Sequence, residues 1–196
     1  MSNSVFPYFR LRGWREALLL CCVVIPLVWF HDFSLPQLFG PELSIPVFLP
    51  NLVPVVMAGA MGVLLGSQWS ESYERAVTSR STQRPRLILS VICVLILVAV
   101  DGLMRARYLG WETVSLITAH SIVAIGCAAS IGGRWGSAVS LRLVPALSLI
   151  LCLSPWFVGE STALGNSVGI GTSPAVLIGE AVLGVIGLVV WVRQGR

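Results

Sequence analysis

Residues Leu87–Leu103 read LILSVICVLILVAVDGL, and from Leu87 to Val100 not one side chain is charged. A helix that covers a soluble core turns a polar residue outward every third or fourth position, whereas a helix that is apolar all round lies inside a large protein or inside a bilayer. A bilayer core about 30 Å thick takes about 20 such residues, so this run is long enough to cross with its flanks included. Working outward, five more stretches have the same character: Trp14–Phe30, Leu52–Gln68, Thr113–Ile131, Leu143–Phe157 and Pro174–Val192. The first is short, and Arg12 and Arg15 are expected to snorkel at its start and help it reach across. A basic start followed by an apolar run also suits a signal peptide. The bulky Val28-Trp29-Phe30 end lacks a small-residue cleavage pattern, which favours a retained anchor.

Composition agrees with a bilayer domain. Of the 196 residues 56% are hydrophobic and 11% charged, and the mean hydropathy is +0.86, beyond what a wetted surface allows. The seven tryptophans, Trp14, Trp29, Trp69, Trp111, Trp135, Trp156 and Trp191, fall at or just past the ends of the apolar stretches. There an indole can set its ring in hydrocarbon and its N–H among headgroups. The fold class expected is therefore all-α: a polytopic integral membrane protein of six transmembrane helices, forming one domain over residues 1–196. All thirteen basic residues are arginine, which suits a GC-rich bacterial genome, and they are scattered over short loops. They build no basic face of the kind nucleic acid requires, so no nucleic-acid partner is expected. Cys21, Cys22, Cys93, Cys127 and Cys152 lie within apolar stretches without Cys-x-x-Cys spacing and read as small hydrophobes; no metal or other cofactor is expected.

Orientation follows from the arginines. A cytoplasmic N-terminus puts eleven of them inside and leaves Arg105 and Arg107 outside, while Asp32, Glu42, Asp101, Glu112 and Glu160 fall on or near the outer side. Both termini are then cytoplasmic, in a plasma-membrane protein that crosses repeatedly. Residues 1–13, with Phe6, Tyr8 and Phe9 among the arginines, read as an interfacial element or as a solvated tail with anchoring rings. Residues 158–173 form an external loop.

The loop richest in chemistry is residues 68–86, on the cytoplasmic side. Glu71 and Arg75 stand four apart in the favourable order, Ser70 or Ser72 can cap a short helix, and Pro85 is expected to force a break before the third span. A polar helix of mixed charge between two spans is what a membrane subunit offers a soluble partner; an ordinary positive-inside loop has the same charge. Six spans, both ends inside, a basic element before the first span and this loop together resemble the membrane subunit of a type-2 ATP-binding-cassette (ABC) exporter. In that family the loop is the coupling helix that docks on a separate ATPase. The run Glu71–Arg86 is the matching part, with Glu74-Arg75 and Thr78-Ser79-Arg80 nearest to the pattern. The resemblance implies that Glu71, Glu74, Arg75 and Arg80 contact a soluble ABC ATPase subunit, and that the permease works with a second copy of itself or a related permease. The chain departs from fuller members in its short stretch before the last span, which shows little sign of paired re-entrant helices.

Ala58, Gly62 and Gly66 recur every four residues and form a small-residue stripe, suited to a dimer seam or to helix packing within the chain. Two ionisable residues lie within spans, His120 and Glu180, and form a candidate intramembrane polar site. Facing one cavity they could serve a proton-coupled step; apart, each would simply be hydrogen-bonded or wetted. No enzyme chemistry is expected. Without lysine there is no phosphate-binding Gly-Lys-Ser/Thr loop, no histidine follows His120 to complete a rhomboid-type serine protease, and Asp101-Gly102 lacks the further aspartates of a headgroup transferase. The leading expectation is a bacterial exporter permease that moves an amphipathic lipid, peptide or drug. Its alternatives are a small-solute-binding membrane component, as in energy-coupling-factor importers, and an accessory or immunity protein that transports nothing.

Overall fold

The computed structural model describes residues 12–32, 49–66, 83–107, 109–158 and 174–194, and among these the chain is all-helical. Six α-helices follow in order: α1 Trp14–Trp29, α2 Val53–Leu65, α3 Gln83–Ala106, α4 Trp111–Trp135, α5 Ser137–Val158 and α6 Pro174–Arg193, with a 3-10 turn Leu49–Leu52 leading into α2. Two of them, α3 and α4, are long and apolar enough to cross a membrane; Leu49–Leu65 and Ala138–Ile150 are shorter apolar helices. At about 1.5 Å per residue, the 24 residues of α3 and 25 of α4 each span roughly 36 Å.

Several boundaries differ from those read in the sequence. Pro85 does not precede the third helix but sits in its first turn, because α3 starts at Gln83. The first N–H groups of a helix have no partner inside it, so a proline there forfeits nothing. Helix α4 runs on to Trp135, and α5 begins at Ser137, six residues earlier than expected, so Arg134 and Arg142 stand on helices rather than in a loop. The two helices turn about Gly136, whose φ of 86° only glycine adopts without strain.

Successive helices run in opposite directions. The start of α1, the ends of α2, α4 and α6 and the start of α3 meet at one end of the bundle, through contacts of Arg12 with Leu65, Arg86 with Trp191 and Gly133 with Trp191. The end of α1 meets the end of α3 at the other, where Arg107 lies on Trp29. These are called below the Trp191 end and the Trp29 end.

Helix α2 is the middle of the structure. Eleven of its 13 residues are buried, too many for one face, and α1, α4 and α5 all pack around it. The most extensive pairing is α4 on α6. A Cβ at Gly184 would collide with the Ile122 carbonyl oxygen, one at Gly126 with the backbone of Gly184, and one at Gly187 would stand 2.6 Å from the Gly126 oxygen. Glycine at these three places lets two helix backbones touch, which multiplies dispersion contacts along the crossing. Ser130 Oγ adds a hydrogen bond across it to the Gly187 carbonyl at 3.4 Å.

The outward faces are apolar. Leu18, Leu19, Val23 and Ile25 on α1, Leu87, Val91, Val94, Leu95 and Val98 on α3, and Ile178, Val182, Leu183, Val185, Ile186 and Val189 on α6 are all exposed. Soluble monomers seldom expose contiguous apolar patches beyond a few hundred Å². On α3 the exposed stripe lies opposite the buried one, Leu89, Cys93, Val100 and Met104, so both faces of that helix are greasy.

Candidate functional site

Three polar groupings interrupt this apolar bundle, one at each end and one between them. At the Trp191 end, the buried guanidinium groups of Arg12 and Arg86 lie 5.5 Å and 5.2 Å from the centre of the fully buried Trp191 ring. Arg12 Nη1 donates to the carbonyl of Leu65, the last residue of α2. Arg86 Nη1 donates to the Trp191 carbonyl at 2.9 Å, in the last turn of α6. Terminal carbonyls have no partner within their helix and mark the negative end of its dipole, so both cations are held by what these helix ends need. The indole face supplies further attraction. The expected snorkelling of Arg12 is thus replaced by an inward clasp, and Trp191 is no interfacial anchor. Trp14, Trp29, Trp111 and Trp135 do sit exposed at helix ends. Nothing in the sequence distinguishes Trp191 from those four, and the clasp was missed for that reason.

The clasp has a location that matters. It binds Leu65, just before residues 67–82, to Arg86, just after them, through Trp191. Glu71, Glu74, Arg75 and Arg80 belong to that connection and lie outside the described residues, as do residues 159–173 of the expected external loop and residues 1–11 of the N-terminal element.

At the Trp29 end, Asp101 Oδ2 accepts from Arg105 Nε at 2.7 Å and Oδ1 from Thr118 Oγ1 at 3.1 Å, joining α3 to α4. Arg107 stacks on Trp29, 4.0 Å from the ring centre, and donates to its carbonyl at 3.3 Å. Helix α3 is therefore pinned at both ends by polar contacts.

Between the ends, His120 and Glu180 come together: Nε2 and Oε1 are 3.2 Å apart, joining α4 to α6. The spacing of each on its own helix could not reveal this, because it depends on how the glycine crossing rotates α6 against α4. His120 also lines a cavity of 210 Å³ between α2, α4 and α5, and Glu180 is not among that cavity's lining residues. The pair links two helices, and His120 also faces that cavity. Removing one partner of a buried pair strands the other, whereas replacing both by apolar residues does not. We expect His120→Leu and Glu180→Leu each to destabilise the protein more than the double variant does. A coupling of roughly 1–2 kcal/mol should appear in a thermal double-mutant cycle; additive losses would show that the pair carries no energy.

The stripe Ala58, Gly62 and Gly66 faces inward. Ala58 is fully buried, Gly62 abuts Ser140 and the Leu141 backbone of α5, and Gly66 abuts Gly132 of α4. Ser140 Oγ donates to the Ala128 carbonyl at 3.1 Å beside them. Among the described residues, no group of three or more His, Cys, Asp or Glu side chains could hold a metal ion. The chain matches no protein-family model, no curated protein and no solved structure, so its function is read from its own residues.

Proposed function

We propose that this chain crosses the plasma membrane six times, with both termini in the cytoplasm, and serves as the permease subunit of a bacterial ABC exporter driven by a separate ATPase. The membrane part is supported by the apolar outward stripes on α1, α3 and α6, which lipid can cover and water cannot. The observation that carries the coupling part is the clasp. Arg12, Leu65, Arg86 and Trp191 tie together the roots of the connection 67–82, the end of α6 and the start of α1. A force applied to that connection by a docked partner would reach four helices through short, buried contacts. Its charges, Glu71, Glu74, Arg75 and Arg80, are the groups proposed to meet the ATPase.

A pull-down in mild detergent tests this. Tagged wild type is expected to bring down an ABC ATPase, and Glu74→Arg to lose it while remaining monodisperse, since reversing a charge at an interface penalises the correct partner. Wild type that never recovers an ATPase, across several detergents, rejects the exporter reading. A second reading, a small-solute-binding membrane component, is favoured by the cavity beside His120. It predicts capture of another membrane protein instead of an ATPase.

A further inference from the structure

The cavity lies where α2 begins and where α4 and α5 pass each other, walled by apolar groups including Pro54, Ala124, Cys127 and Val144. Two polar side chains interrupt that wall from facing helices, His120 on α4 and Ser148 on α5. Both are nine-tenths buried or more, the His120 side chain being 10% exposed and Ser148 6%. Neither Ser148 Oγ nor the second ring nitrogen of His120 has a hydrogen bond to another described residue. An apolar wall with two convergent polar groups is the usual make-up of a small-molecule site.

The volume sets the size of the occupant. A cavity of about 150 Å³ takes benzene, so 210 Å³ has room for a ring bearing one or two small substituents. The chemistry sets its polar group. An imidazole nitrogen accepts a hydrogen bond when bare and donates one when it carries the proton. A hydroxyl, which both donates and accepts, satisfies it in either state and satisfies Ser148 as well.

We infer that the cavity between α2, α4 and α5 binds a small, mainly apolar molecule with one hydroxyl group, held between His120 and Ser148. This goes beyond the proposed function, because such a site needs no ATPase and would serve a transport subunit or an accessory protein alike.

The test uses the purified full chain in lipid nanodiscs and equilibrium dialysis against p-cresol and p-xylene, which have the same shape and differ in a hydroxyl for a methyl. Protein-free nanodiscs give the amount dissolved in lipid. Saturable p-cresol binding above that blank is expected, about tenfold tighter than p-xylene, the size of one net hydrogen bond to a buried polar group. Ser148→Ala removes one oxygen and should lower p-cresol affinity about tenfold while leaving p-xylene unchanged. Ala124→Leu fills the cavity and should abolish saturable binding of both; should that variant not fold, Ser148→Ala still decides. Absence of saturable binding, equal affinity for the two compounds, or a p-cresol preference that survives Ser148→Ala overturns the inference. None of these outcomes depends on whether an ATPase co-purifies, so the two proposals fail separately.

Discussion

Gly184→Ala is expected to destabilise the protein while Gly179→Ala, on the same helix, stabilises it. A glycine inside a helix ordinarily costs about 0.5–1 kcal/mol relative to alanine, because it has more conformational freedom to lose on folding. At Gly179 nothing lies within 4 Å of where the new methyl would stand, so the substitution gains that amount. At Gly184 the methyl meets the carbonyl and side chain of Ile122. Backbone cannot rotate away as a long side chain can, so α6 must lift off α4. That forfeits contact along the most extensive helix pairing in the bundle and should cost about 3 kcal/mol or more, at the upper end for overpacking. Gly102→Ala, also in open space, is a second control on α3. Calorimetric unfolding of all three variants in one detergent reads the result. A Tm that rises for Gly184→Ala as it does for Gly179→Ala would show that the two backbones do not touch.

Trp191→Ala should be the costliest of the tryptophan substitutions. Its side chain is 0% exposed, against 65% for Trp111 and 61% for Trp135. Truncating a buried tryptophan costs about 3–5 kcal/mol. Here it also removes the ring on which two buried guanidinium groups rest. Trp111→Ala and Trp135→Ala should stay within about 1 kcal/mol in detergent, since both side chains are largely exposed. Thermal unfolding of the three variants side by side checks this. Equal losses would return Trp191 to the role of an ordinary interfacial anchor.

Those same tryptophans show how far the sequence could be read. Helix existence was legible because a long uncharged run admits few other solutions, and each of the six apolar stretches coincides with a helix, Leu52–Gln68 only as far as Leu65. The ends were less so. Arg134 and Arg142 look like loop residues in a linear reading, yet a helix can carry charge past its apolar part when the side chain points outward, as both do here. His120 and Glu180 were visible as costly residues, but their pairing is a property of the α4–α6 crossing. The crossing itself was not legible: Ala58, Gly62 and Gly66 were the small residues that stood out, while the closest backbone approach falls at Gly184 and Gly187 against α4 and belongs to tertiary structure. Arg12 and Arg86 were counted as two charges among eleven on one side, and a count cannot tell an arginine that faces water from one that closes on a helix end.

The enclosure of α2 bears on how the bundle comes into being. In the membrane setting proposed above, a ribosome would deliver α1 and α2 well before α4 and α5, so the helix destined for the centre would reach the bilayer ahead of two of the neighbours that surround it. For that interval its glycine and alanine positions would face lipid tails, a solvent that fits them loosely but does not reject them. The nascent chain is therefore stored rather than folded, and it matures by being wrapped from outside when the later helices arrive. Birth order and depth of burial run in opposite senses here, and any chain released early would present its innermost surface to the cell's quality control.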